Sequence, residues 1–116
     1  MRSAGRPYRL AVFTKNRSNP AYAGARIGAD RQAHRLGCSV SHYVPDKADD
    51  VQEQRALLAR ALGQGTDAVV LAPTHATQLN DILASLDERG SDFLLLRHLG
   101  TFGWSAIRWQ ADNLVR

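Results

Sequence analysis

The sequence predicts an α/β domain of three layers, helices on both faces of a mostly parallel sheet of about five strands. Three observations carry that prediction. Apolar runs recur at Leu10-Ala11-Val12-Phe13, Ala68-Val69-Val70-Leu71-Ala72 and Phe93-Leu94-Leu95-Leu96, as strands covered on both faces require. Between them lie stretches with helical spacing, long enough to cross over a parallel sheet. Gly37, Gly63 with Gly65, and Gly90 stand where those helical patterns stop.

Residues 8–14 form the first predicted strand. The loop Lys15-Asn16-Arg17-Ser18-Asn19 follows, with Asn19 suited to hydrogen-bond nearby backbone and Pro20 to a first helical turn that needs no N–H. The first helix, 21–36, carries Tyr22, Ala25, Ala29, Ala33 and Leu36 on one stripe, with Gly28 beside it to allow close approach to the sheet. Residues 38–44 form a second strand rich in valine and tyrosine. Residues 45–50 make a turn whose acids favour the start of a helix. Val51, Gln54 with Arg55, Leu58 and Ala61 with Leu62 mark the inner face of that second helix. Residues 67–72 are the third strand and 73–77 a short loop, with Thr77 expected to cap a third helix striped by Leu79, Ile82, Leu83 and Leu86. Residues 93–96 and 105–109 give strands four and five. Right-handed crossovers place the strand-to-helix loops on one edge. These are 15–22, 46–50, 73–77, 97–103 and the Asp112-Asn113 pair.

The 116 residues suffice for one domain with a real core. Residues 1–7 read as a basic leader without stable structure, and 8–116 as the domain. The formal net charge is +4 and almost every basic residue is arginine, yet beyond Arg2, Arg6 and Arg9 the arginines interleave with acids. No recognition element gathers them, so nucleic acid is not an expected partner. Cys38 is the only cysteine, which excludes an internal disulfide and a thiolate metal cluster. The first residues lack the apolar core of an export signal, and no run reaches membrane-spanning length; as written, the sequence predicts a soluble cytoplasmic chain.

The loop after the first strand has neither the spaced glycines of a dinucleotide site nor a phosphate loop. A phospho-receiver would need an aspartate where Leu71-Ala72-Pro73 stands. There is no Gly-x-Ser-x-Gly elbow, and His34, His42, His75 and His98 are scattered. His75 and His98 fall on the loop edge without a carboxylate partner, so neither catalysis nor metal binding is expected. That edge does offer hydrogen bonding. Asn16 and Asn19 each present a donor and an acceptor, matching a hydroxyl; Tyr22 offers a ring face and Arg97 forked donors. Taken singly, Asn19 serves as a helix cap and Tyr22 as a core or hinge aromatic. Together they point to a small polar ligand.

The segment Thr14-Lys15-Asn16-Arg17-Ser18-Asn19-Pro20-Ala21-Tyr22, with Gly28-Ala29 and Arg35-Leu36-Gly37, resembles the type 1 periplasmic sugar-binding proteins of ABC transporters and the related effector domains of LacI-type repressors. The likeness continues through Asp50-Val51-Gln52-Glu53-Gln54, Gly65-Thr66-Asp67-Ala68-Val69, Leu71-Ala72-Pro73 and Ala111-Asp112-Asn113. It implies the amino-terminal lobe of a two-lobed receptor, incomplete here and without its second lobe. Asn19 matches the asparagine that hydrogen-bonds the sugar, and Tyr22 the second of two aromatics that sandwich it. Ala21 replaces the first aromatic. Leu96-Arg97-His98 stands where an Asp-Arg pair is usual, leaving Asp112 as a substitute acid.

The resemblance implies a non-catalytic carbohydrate-binding lobe with no cofactor and no metal, weak or inactive alone. It implies a sugar or polyol ligand, an ABC transporter permease as partner and the periplasm as location. The alternative is the effector-sensing domain of a LacI-type regulator lacking its DNA-binding segment. Apolar residues at 94–99, Trp104 and Trp109 are expected to promote self-association through an exposed lobe face.

Overall fold

The computed structural model describes residues 7–75, 77–88, 92–98 and 104–108. The elements run β1 (Arg9–Phe13), α1 (Pro20–Leu36), β2 (Ser39–Tyr43), α2 (Val51–Leu62), β3 (Ala68–Leu71), α3 (Asn80–Glu88), β4 (Asp92–His98) and β5 (Trp104–Arg108). They build one five-stranded sheet in the order β2-β1-β3-β4-β5. The pairs β1–β2, β1–β3 and β3–β4 are parallel, whereas β4–β5 is antiparallel. The α/β class, the parallel sheet and the five strands are as the sequence predicts.

The direction of β5 sets it apart from the other four strands. Because β5 runs against β4, its last residue Arg108 sits opposite Leu94, towards the amino ends of the parallel strands. The chain therefore leaves β5 on the side away from the loops after β1, β2 and β3. The expectation that Asp112 joins those loops assumed a parallel fifth strand; Asp112 itself lies outside the described residues.

The strand order dictates which helix covers which face. The chain moves one way from β1 to β2 and the other way from β2 to β3 and from β3 to β4. Right-handed crossovers then put α1 on one face and α2 with α3 on the opposite face. Alternation along the strands matches this arrangement. Ala11, Phe13, Tyr43, Val69 and Leu71 pack with Leu58 and Ala61 of α2 and with Leu79 and Leu83 beside and within α3. The Phe13 and Tyr43 rings stack with centroids 4.7 Å apart. Leu10, Val12 and Val70 face α1 instead, where they line a groove of about 340 Å³ with Ala29, Ala33 and Leu36.

The helix ends follow local chemistry. Asn19 caps α1 by accepting the Ala21 N–H at 2.9 Å, and Pro20 opens the helix. Gly37, at φ 73°, closes it: its N–H reaches the His34 carbonyl, and the Cys38 N–H reaches Ala33. Gly28 differs from expectation. It is exposed, and a Cβ there would meet nothing within 4 Å, so no close approach depends on it. Asp50 caps α2 through the Glu53 N–H. In the turn before α3, His75 Nδ1 accepts the N–H groups of Thr77 and Gln78, both at 3.1 Å, and the Thr77 backbone carbonyl accepts the Asn80 N–H; among the described residues the Thr77 hydroxyl caps no N–H group of α3.

Two side chains fix α2 and α3 to the loop after β3. Gln54 is fully buried. Its amide donates to the Ala72 carbonyl at 3.1 Å and accepts from the Thr74 N–H at 2.9 Å and the Thr74 hydroxyl at 3.0 Å. Arg55 donates to both carboxylate oxygens of Asp81, at 2.6 and 2.8 Å, and to the Gln78 carbonyl.

These contacts generate two predictions. Gln54→Leu keeps the volume but strands the Ala72 carbonyl and the Thr74 N–H; it should cost about 1–3 kcal/mol, read as a lower urea midpoint at unchanged slope. A midpoint equal to that of the parent would count against the role given to Gln54. For Asp81, hydrogen bonding from Arg55 is the main cause that lowers its carboxyl from 3.8 to about 2. The folded value lies below the unfolded one, so the pair's small stabilisation is complete above pH 4 or so and disappears as pH falls through the folded value. Carboxyl NMR titration should place Asp81 near 2 and return it towards 3.8 in Arg55→Met.

Candidate functional site

In an open α/β sheet, the crevice outside the carboxyl ends of the strands opens where the strand order reverses. Here that point lies between β1 and β3, because the chain leaves β1 towards β2 and leaves β3 towards β4. The loops that border it are 14–19 after β1 and 72–79 after β3, with 44–50 after β2 alongside.

Asn16 organises the first loop. It is buried, and both ends of its amide are engaged internally. Its Oδ1 accepts the Asn19 N–H at 2.9 Å, and its Nδ2 donates to Asp49 Oδ1 at 2.9 Å. The Ser18 hydroxyl approaches the same Oδ1 at 3.5 Å. The Lys15 carbonyl accepts the Asp49 N–H at 2.9 Å, so the loops after β1 and β2 are joined twice. Asn16 is thus a positioning group in this structure, its donor and acceptor both committed to the loops.

Asn19 is exposed at the start of α1. Its oxygen caps the helix, while among the described residues its amide nitrogen has no hydrogen-bond partner. That NH₂ is available to an external acceptor. Tyr22, one turn on, is only 7 % exposed. Its ring is enclosed, in keeping with the core or hinge role that the residue has when considered singly. Arg97 lies in β4, where its backbone pairs with Ser105; its side chain, like Asp112, lies outside the described residues. The side chains at 94–98 and of Trp104, together with Leu99 and Trp109, lie outside them as well.

Sequence reasoning missed two contributors. Arg26 stands outside the apolar stripe of α1, yet its Nη1 donates to the buried Thr14 hydroxyl at 2.7 Å and to the Asn16 carbonyl at 3.2 Å. It braces the loop from beneath with a long side chain, whose reach no periodicity reports. Asp49 read only as one of several acids before α2. The Asp49-Asp50 doublet was the available signal: one acid caps the helix, which leaves the other for a different contact. Among the described residues no group of three or more His, Cys, Asp or Glu side chains is placed to hold a metal ion. His42, on β2, pairs with Asp30 of α1 at 2.7 Å, and its other ring nitrogen is buried with no hydrogen-bond partner among the described residues.

No protein-family model and no curated protein sequence matches the chain. Solved structures do match. An ABC transporter periplasmic solute-binding protein from Actinobacillus succinogenes, with bound D-allose, aligns with a TM-score of 0.71 at 19% identity, over 76% of this chain and 30% of that one. A sugar ABC transport substrate-binding protein from Bordetella parapertussis gives 0.69 at 24% identity, over 79% and 29%. The periplasmic component of an ABC-type sugar transport system from Hahella chejuensis gives 0.70 at 27% identity, over 82% and 35%. The chain thus spans about a third of the length of the proteins it matches, an extent consistent with a partial lobe. It shares its fold with a portion of the periplasmic sugar-binding proteins of ABC transporters.

Proposed function

We propose that this chain supplies one wall of a carbohydrate-binding site and takes part in ligand capture without chemistry, as in a solute receptor of an ABC uptake system. The observation that supports this most is the exposed amide of Asn19, set at the topological switch point of a fold shared with sugar-binding proteins. An amide NH₂ there donates to a sugar hydroxyl or ring oxygen. The rigid loop beneath it, held by Asn16 and Arg26, keeps that donor in place at little entropic cost on binding. The one edge histidine whose side chain is described, His75, has its Nδ1 committed to backbone N–H groups. That commitment favours binding over acid–base work. Within such a system the ligand would be a sugar or polyol, the place the periplasm and the partner a permease.

One wall encloses one side of a ligand. It forgoes the opposing contacts and the exclusion of water that a closed site provides. Binding by this chain alone should therefore be weak, about millimolar or weaker. Calorimetric and NMR titration against pentoses, hexoses and polyols checks this. The expected result is chemical-shift change at Asn19 and its neighbours with little heat. Micromolar affinity for the monomer would overturn the single-wall reading, and no shift with any sugar would overturn the carbohydrate reading.

A further inference from the structure

β2 is an edge strand of the sheet, paired only on its β1 side. The Ser39 N–H donates to the Tyr8 carbonyl at 2.9 Å, and the Tyr43 carbonyl accepts the Thr14 N–H at 3.2 Å. Bonding residues alternate along a parallel pair. Ser39, Ser41 and Tyr43 therefore bond β1, while Val40 and His42 turn their N–H and C=O groups outward. Among the described residues those outward groups have no hydrogen-bond partner. Native edges are usually guarded by lysine, proline or a bulge. The run Ser39-Val40-Ser41-His42-Tyr43 has no such guard, and it carries the strand formers valine and tyrosine.

This edge is complementary to itself. Its outward groups sit on residues placed symmetrically about Ser41. A second β2 laid antiparallel, with a two-fold axis at Ser41, sets Val40 opposite the partner's His42 and His42 opposite the partner's Val40. Both become hydrogen-bonded pairs, with about four new bonds between them. Ser41 is exposed, and it meets the partner's Ser41 in the closely spaced position, where hydroxyls bond across strands. The flank of α2 obeys the same symmetry. Glu53 accepts the N–H groups of Asp46 and Lys47, so it lies at the carboxyl end of β2. Arg60, about two turns on, lies towards the amino end, and half-buried Leu57 falls between them along one pocket of about 250 Å³. Neither Arg60 nor Asp46 has an ion-pair partner among the described residues. The two-fold reverses one α2 against the other. It brings each Arg60 towards the Asp46 and Glu53 end of its mate, with Leu57 facing Leu57 at the centre.

We propose that β2 is a self-association edge: two copies of this chain pair antiparallel through Val40 and His42 about Ser41, joining their five-stranded sheets into one. An unrelated peptide strand would use the same backbone groups, but the charges along α2 match a reversed copy of themselves, which favours a second copy. The pairing points the loop edges of the two copies in opposite directions, so each crevice stays open. The inference is independent of the carbohydrate reading.

Sedimentation velocity of the full chain, from about 1 µM to about 1 mM, tests it. The parent should show a monomer–dimer equilibrium with a midpoint of about 10–100 µM. Ser41→Lys sets like charges on the axis at an exposed position and should weaken the dimer roughly tenfold, as should Ser41→Asp; mixing the two variants should restore a dimer. Cysteine pairing reads the register directly and needs no strong equilibrium. In a Cys38→Ser background, Ser41→Cys should crosslink two chains under mild oxidation, whereas Ser39→Cys, set opposite the partner's Tyr43, should not. A parent that stays monomeric at about 1 mM overturns the proposal. So does a dimer that Ser41→Lys leaves unchanged, which would use another surface, or crosslinking as fast through Ser39→Cys as through Ser41→Cys.

Discussion

The position of β1 between β2 and β3 is the constraint from which the remaining architecture follows. Connections between parallel strands are right-handed, so a reversal in the direction of travel across the sheet forces the helices onto opposite faces. In this chain the reversal separates α1 from α2 and α3. It also splays apart the loops after β1 and β3 and so opens a crevice at the carboxyl ends. Fold and candidate site have the same geometric origin. The residues of β1 accordingly serve both layers, with Ala11 and Phe13 in the core under α2 and α3, and Leu10 and Val12 under α1.

Two buried carboxamides convert that crevice from a gap into a structured edge. Asn16 joins the loop after β1 to the loop after β2, and Gln54 ties the loop after β3 to α2. Each satisfies backbone or side-chain groups that would otherwise be desolvated without a partner, which makes these amides costly to lose. Arg26 adds a third tether from α1. Polar groups inside the domain thereby hold the loops in place, while the exposed Asn19 and Asp49 remain at the rim.

The elements were legible because their signals are local. Apolar runs, helical spacing and end residues such as Asn19 with Pro20, and Gly37, act within a few positions of one another, and the structure follows them to within a residue or two. Tertiary choices were less legible. The antiparallel course of β5 depends on how a short connection turns, which periodicity does not record. The turn that His75 organises ahead of α3 escaped notice because imidazole is an uncommon acceptor for backbone N–H groups, and Thr77 fits the usual capping pattern better. At the site, the sequence pointed to Asn16 and Asn19 as equivalent amides. Only burial distinguishes them, since an inward-facing asparagine is consumed by its neighbours and an outward-facing one is not.

The antiparallel β5 also sets a length requirement. Arg108 ends the strand beside Leu94, at the edge of the sheet opposite the loops. Five residues of strand span roughly 17 Å. Any segment downstream of Arg108 that reaches the loop edge at Asn19 must first retrace that height. A helix rising 1.5 Å per residue would use about eleven residues for the return, and an extended strand about five. A contact between the loop edge and any residue downstream of Arg108 thus spans the full height of this sheet.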